Sequence, residues 1–458
     1  DFAKRYYFAV NLRQDEYSAF ADKAELFWGA SLGWEIAKEK FWESAGLDKV
    51  FSSFKLRGSY GKVGNTAGIG DYAIFSTYGS GLYGGLPTLA FNQAGNPDLQ
   101  WETSTKTDIG MNFGLFNERL LVDFAWYNND ISDLILNVPQ APSTGLPNAV
   151  PTNIGTMFNK GVELAIGGTP VRTKDFTWNS QFNITFNKNE VTSLAPGLNE
   201  ILTATSLETA NRTAVGYPVG YLWVVRTAGV DPQSGRRIFV NRDGTRVLYS
   251  HVPTTGQFNW QLEDGQRYNN PNGTPRAITA AFDAVMYANP HPKQFGGWEN
   301  TFTYKGFDLN VMLTYQLGYS VYYGSNAGLH DQRFWNNHVD MLTAWRKPGD
   351  VTDIPRPVYL DNVSNGSAIP ISYNVYKADF VKVRNAGIGY SIPASILSKA
   401  KISSARISVT GQNLAIFTDY PGPDPEVSSN GNSNGAPGID RNTVANARQI
   451  LIGLNIGF

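Results

Sequence analysis

Gln449-Ile-Leu-Ile-Gly-Leu-Asn-Ile-Gly-Phe458 is the stretch that decides how the rest of this chain is read. Ile450, Ile452, Leu454, Ile456 and Phe458 share one face of a strand, while Gly453, Asn455 and Gly457 share the other; Leu451 is the exception. Period-2 alternation over about ten residues has the length and pattern of one tilted crossing of an outer membrane by a β-strand. The last strand of a soluble sandwich would alternate in the same way, so the rest of the sequence must separate the two.

The alternation recurs. Phe307, Leu309, Val311, Leu313, Tyr315, Leu317 and Tyr319 share a face opposite Asp308, Asn310, Met312, Thr314, Gln316 and Ser320. Phe176, Trp178, Phe182, Ile184 and Phe186 back onto Thr177, Asn179, Gln181, Asn183, Thr185 and Asn187. Ala405, Ile407 and Val409 back onto Ser404, Arg406, Ser408, Thr410 and Gln412. Less perfect copies span Tyr6 to Leu12, Leu26 to Ile36, Phe54 to Tyr60, Trp101 to Leu115, Leu120 to Trp126, Val162 to Ile166 and Trp298 to Tyr304, and the weakest runs from Phe380 to Tyr390. The polar faces carry Asn, Gln, Thr, Ser and Gly more than Lys and Glu. That suits a watery or plugged lumen, and the aromatic opposite face suits lipid and its interfacial girdles.

Spacing supplies an independent test. The segments amount to about twelve strands whose links alternate between short and long, as in outer-membrane barrels. Short links fall near Asn117, Lys174, Lys305–Gly306 and Pro393–Lys399, with a medium one from Ala37 to Ser52. Long ones run from Gly64 to Gln100, Asp130 to Asn159, Asn189 to Pro292, Val321 to Asn374 and Phe417 to Val444; the link after Arg13 is a shorter member of that set. The expected fold is an all-β transmembrane antiparallel barrel with its binding chemistry in the long loops. Residues 190–291 form the longest excursion.

Composition agrees. Aromatics at 13% and 46 glycines are high in these 458 residues, and charged residues stand at only 17%, against an ordinary share of about a quarter. The net charge of −1 gives no reason to expect a nucleic-acid partner. The absence of cysteine rules out disulfides and thiolate metal sites. No apolar run approaches the roughly 18 residues of a transmembrane helix, a test that barrel strands escape because every second residue is polar.

Several segments together resemble the SusC/RagA family of TonB-dependent outer-membrane transporters. They are Ser53-Phe-Lys-Leu-Arg-Gly-Ser-Tyr-Gly-Lys-Val-Gly-Asn65, Asn96-Pro-Asp-Leu-Gln-Trp-Glu102 with Asp108-Ile-Gly110, and Asn159-Lys-Gly-Val-Glu163. They continue with Gly229-Val-Asp-Pro-Gln-Ser-Gly235, Phe380-Val-Lys-Val-Arg-Asn385 to Gly389-Tyr390, Val409-Thr-Gly-Gln-Asn-Leu414, Asp424-Pro-Glu426 and Gly453-Leu-Asn-Ile-Gly-Phe458. Ala445-Asn446 departs from the family, which tends to place prolines there. The resemblance implies a Bacteroidetes outer-membrane barrel of about 22 strands with an N-terminal plug. Residues 1–458 would then be its C-terminal portion, lacking the plug and first strands. It further implies import of oligosaccharides or peptides energised by TonB, a SusD-like surface lipoprotein as lid, and a barrel assembly machinery that reads Ile452, Leu454, Ile456 and Phe458 as an insertion signal. The alternative is a barrel of the same build without transport, such as an adhesin or a secretion component.

Signals for other chemistry are weak. Gly79-Ser-Gly-Leu-Tyr-Gly84 fits a dinucleotide fingerprint, but Gly85-Leu-Pro87 follows where a helix is required, so a loop tip is expected. His251, His291, His330 and His338 have no metal-ligand spacing, and neither a metal site nor a catalytic residue is expected. Asp419, Asp424, Glu426 and Asp440 share a loop that could hold calcium, without the spacing of an EF-hand. The expected cofactor is none. Candidate contacts for substrate or lid are loop aromatics, whose rings can stack on sugars or hold peptide side chains. These are Tyr322, Tyr323, Phe334 and Trp335 in one loop, Trp223 and Trp260 in another, and Tyr420 in a third. The competing reading is that they pack the loops together or form the girdle.

Overall fold

The computed structural model describes every residue except 21–23, 67, 139, 141, 146–149, 196, 204–207, 253–258, 334, 399–401 and 432. Twelve strands pair in one sheet. We label them β1 (Tyr6–Glu16), β2 (Ala24–Glu35), β3 (Phe51–Asn65), β4 (Glu102–Leu115), β5 (Leu120–Val138) and β6 (Val150–Arg172). The others are β7 (Phe176–Ser193), β8 (Gln294–Tyr304), β9 (Phe307–Leu317), β10 (Phe380–Ser391), β11 (Ser404–Thr418) and β12 (Gln449–Gly457). Each is antiparallel to its predecessor in the chain. All twelve expected segments are therefore strands, with β1 and β12 as the two edges of an open sheet.

The register shows why this sheet belongs in lipid. Ile109, Trp126, Val162 and Phe186 are successive cross-strand partners, as are Ile166, Phe182, Trp298 and Leu313. These rows lie on the apolar face, where Phe8, Leu12, Leu32, Ile109, Ile450 and Ile452 are all more than half exposed. Such a continuous apolar surface is stable against hydrocarbon, not against water. The opposite face carries ion pairs: Arg57 reaches Asp108 at 2.8 Å and Asp123 at 3.1 Å, and Arg406 binds Asp308. Lys305 and Gly306 connect β8 to β9 with φ of 44° and 88°, the backbone of a two-residue hairpin turn whose twist matches its strands.

Cysteine introduced singly at Trp178, Phe182, Phe186, Leu309, Leu313 and Ile452 is expected to resist a membrane-impermeant thiol reagent in native membranes. Cysteine at Gln181, Asn183, Thr314 and Gln412 should react. Equal labelling of the two sets would overturn the face assignment.

The weak pattern of β10 has a physical cause. Met312 pairs with Asn385 while its neighbour Leu313 pairs with Val383, so Arg384 is an extra residue. A bulge of this kind moves the outward positions from even to odd numbers within one strand and destroys the alternation. The expected strand to Tyr319 also ends early. Gly318, at φ 79°, turns the chain after Leu317, and Tyr319 is buried among Val321, Ala378, Phe380 and Tyr420.

The long excursion is more than a loop. Between β7 and β8 the chain forms a seven-stranded sheet that includes Tyr221–Val230, Arg237–Val240, Arg246–Tyr249 and Ala284–Ala288. Trp223, Val225, Phe239, Val247, Tyr249, Tyr268 and Ala284 make its core, and Ile371 enters that core from the loop between β9 and β10. A bridge from Val225 to Ile371 and the bond from Val225 N to Pro370 O (2.9 Å) lock the two loops together. A three-stranded sheet of Ser320–Tyr323, Val375–Lys377 and Ile439–Asp440 ties in the last long loop. The loops thus form one structured roof over one rim of the wall.

Candidate functional site

Between wall and roof lies a cavity of about 850 Å³, within the range of ligand sites. Its wall side consists of lumen-facing positions, among them Asn65, Glu102, Ser104, Asn129 and Met157; Ile201, Thr213 and Gly435 come from the roof. Alternation places these wall residues inward, because their strand neighbours Ile109 and Trp126 point to lipid. The Glu102 carboxylate is held in place, accepting from Asn65 Nδ2 at 2.7 Å and from the Ile135 amide at 2.9 Å. Fixed polar groups beside Ile131, Leu134 and Met157 can hold a ligand that has both hydrogen-bonding and apolar surfaces.

Polar and charged groups tie the segments of the roof to one another. Asn211 Nδ2 donates to Gly220 O at 2.8 Å and Pro437 O at 2.9 Å, joining the excursion to the last loop. Burial pushes the Glu208 carboxyl above its usual range, although its ion pair with Arg441 works the other way. His291 is partly buried with Nε2 2.7 Å from Val219 O, and desolvation holds its imidazole below its ordinary value. Arg237 is fully buried over the Tyr373 ring with Nε on Ser364 O at 2.8 Å, and burial pushes its guanidinium down to about 10.

Residues 1–223 match the family model described as TonB dependent receptor-like, beta-barrel. The chain is 30% identical over 489 residues to TonB-dependent receptor P39 of Formosa agariphila, an alignment covering 100% of this chain and 45% of that protein. It is 27% identical over 483 residues to TonB-dependent receptor SusC of Bacteroides thetaiotaomicron, covering 99% of this chain and 42% of that one. The chain is similar to TonB-dependent receptors along its whole length, and residues 1–223 match their β-barrel. Its fold also matches the solved structure of the RagAB peptide transporter, with TM-score 0.79 and 24% identity over 100% of this chain and 46% of the other. The SusC/RagA resemblance is therefore borne out, and the chain spans less than half the length of the curated relatives it matches.

In this receptor barrel, most of the aromatic residues expected to meet a ligand are structural. Tyr322 is fully buried in the centre of the three-stranded sheet, with Leu222, Val224 and Ile439 around it. Trp223 lies in the excursion core, and Tyr420 is buried with its hydroxyl donating to Asp440 at 2.7 Å. The expectation that these three rings are exposed is corrected: strand pairing buries Tyr322 and Trp223, and Tyr420, just beyond the end of β11, is buried among Tyr319, Val321 and Phe380. Trp260 is half-buried against Phe239 and Tyr249, and Tyr323 packs edge-on to Tyr420 at 5.6 Å. Phe334 lies outside the described residues. Trp335, 55% exposed, is the most exposed of the described rings in that set.

The acidic loop considered for calcium is also dispersed. Asp424 and Glu426 accept from Lys382 Nζ at 2.9 and 2.7 Å, while Asp440 takes the Tyr420 and Thr443 hydroxyls. Conversely, histidines without ligand spacing meet in space. His330 Nε2 lies 2.8 Å, and His338 Nδ1 2.9 Å, from Asp340 Oδ1. Burial holds His330 below its ordinary pKa against the pull of Asp340. Burial works to raise Asp340 too, but hydrogen bonds with both imidazoles outweigh it and hold the carboxyl low.

Where a loop tip is expected at Gly79 to Gly84, the structure has an ordered hairpin with an exposed surface. Thr77–Tyr83 and Leu86–Gln93 form a hairpin around Gly84 and Gly85, whose φ of 57° and 84° suit a tight two-residue turn. Tyr78, Leu82, Tyr83, Leu86 and Leu89 are all more than 60% exposed on it. The signal was present in the sequence: Gly-Gly between two short runs with apolar residues marks a hairpin. The match of Gly79 to Gly84 to a nucleotide fingerprint has no structural counterpart, because this strand is followed by another strand and not by a helix.

Proposed function

We propose that this chain forms part of the wall and the roof of an outer-membrane importer. Oligosaccharide or peptide is captured at the extracellular side, and TonB energises its passage into the periplasm. The observation that carries this reading is the cavity between a polar lumen wall and a structured roof in a TonB-dependent receptor barrel. A plug and the remaining barrel strands come from the rest of the complete protein, because open edges at β1 and β12 are not tolerated in lipid. The match to the RagAB peptide transporter favours a peptide as cargo, and an oligosaccharide is the other cargo that the SusC/RagA resemblance implies. A SusD-like lipoprotein closes over the roof, and no chemical step is assigned to the barrel. Barrel assembly machinery reads the apolar row of Ile452, Leu454, Ile456 and Phe458.

The test is growth of the native organism on panels of oligosaccharides and peptides, with the complete gene intact, deleted, or present without functional TonB. Loss of growth on the same cargo in both defective strains is expected. Growth unchanged on every cargo would favour the non-transporting barrel. Once a cargo is known, Trp335→Ala is expected to weaken its binding, or that of the lid, by about 1–2 kcal/mol, roughly tenfold. Barrel abundance should be unchanged. An unaltered affinity for both would move the recognition surface to the cavity wall or the 77–93 hairpin.

A further inference from the structure

We propose that His330, His338 and Asp340 form a binding site for a divalent transition-metal ion of the Zn²⁺ class in the receptor's roof. One potential ligand atom from each residue lies within 4.8 Å of the others. Both imidazole nitrogens point at the same carboxylate oxygen, at 2.8 and 2.9 Å. Zn–N bonds of about 2.0–2.1 Å in a tetrahedral site set neighbouring ligands about 3.3 Å apart. To admit the ion, the two imidazole–carboxylate separations would open by roughly half an ångström and the two imidazole nitrogens, within 4.8 Å of each other, would settle at about 3.3 Å, changes within the reach of side-chain torsions.

The backbone predisposes the site. His330 follows the short helix Gly324–Leu329, its amide bonded to Asn326 O at 3.1 Å, and its side chain is only 1% exposed. His338 caps the 3-10 turn Val339–Thr343, which sets Asp340 beside it. The His338 and Asp340 side chains are 54% and 38% exposed, so the fourth coordination position opens to solvent. It can take water or a carboxylate of a bound molecule. Two imidazoles with one carboxylate suit Zn²⁺, Ni²⁺ or Cu²⁺, whereas Ca²⁺ prefers oxygen donors throughout. A bound ion would clip the two ends of segment 331–337, which carries the exposed Trp335, and so stiffen the face that the ring presents.

The ordinary alternative is two histidines sharing hydrogen bonds with an aspartate, and a titration separates the two. The complete receptor, carrying a tag without histidines, is stripped with chelator in detergent and titrated with ZnCl₂ by calorimetry. Metal content is measured after dialysis. One equivalent of Zn²⁺ per receptor is expected, with affinity reduced at least about tenfold in His338→Ala and in Asp340→Asn, and unchanged in His251→Ala. Both test positions are partly exposed, so folding should survive; heat-modifiable mobility of the barrel checks this. Co²⁺ should give the visible bands of a tetrahedral site in the parent and not in His338→Ala. No stoichiometric binding to the parent, or equal binding by the variants, would overturn the site. Neither result bears on the import reading, which does not depend on the ion.

Discussion

Leu313→Arg is expected to lower the stability of the folded barrel in the membrane by roughly 2–4 kcal/mol, the cost of an arginine on the lipid face near the bilayer midplane. Leu313 stands mid-strand in β9, paired with Trp298 on one side and Val383 on the other. Its neighbours on that face are apolar, so a guanidinium there finds no carboxylate and must draw water or headgroups inward. Thr314→Arg, one residue away on the lumen side, should cost far less because its side chain enters a polar interior. Denaturant titration of the complete receptor in lipid vesicles, followed by heat-modifiable mobility, measures both. Equal costs for the two substitutions would mean that the faces are assigned wrongly.

Lys382→Ala is expected to cost about 3–5 kcal/mol, because it removes a buried cation and strands the Asp424 carboxylate, while Glu426 keeps its pair with Arg384. Lys382 Nζ lies 2.9 Å from Asp424 and 2.7 Å from Glu426, with lysine and aspartate side chains each 4% exposed. The loss should appear as release of the loop between β11 and β12, seen as faster limited proteolysis between residues 419 and 444. Lys382→Met combined with Asp424→Asn should restore much of the protection, since less charge is left unpaired in the interior. The parent should show a pH effect of defined sign. Burial tends to raise the Asp424 carboxyl, but its bonds to Lys382 and to the Glu426 and Asn446 amides outweigh that and hold it low. Its contribution is therefore complete above the ordinary aspartate value near 3.9 and is lost as pH falls through the depressed one. Protection that is indifferent to both the substitution and the pH would remove the ion pair from any role in holding the loop.

The wall and the roof differ in how far the sequence exposes them. All twelve wall strands are visible because each carries its instruction locally: one residue to lipid, the next to the lumen. The pattern fails where the backbone inserts a residue, as at Arg384, and where a glycine turns the strand away, as at Gly318. The small strands of the roof escape notice for a different reason. Arg237–Val240 and Arg246–Tyr249 are four residues each, too short for a period, and their burial comes from distant partners such as Ile371.

Sequence by itself determined that this chain is a membrane-embedded β-wall with long loops on one side, because lipid imposes the same two-residue rule on every crossing. Only the tertiary structure decided what the loops do. Tyr322, Trp223 and Tyr420 look alike in sequence to Trp335, yet the first three are buried in the packing of the roof and the last is more than half exposed. His330 and Asp340 are ten residues apart with no motif between them, and a helix end and a 3-10 turn bring them to 2.8 Å. Burial and convergence of this kind depend on contacts between segments far apart in the chain, which no local periodicity records.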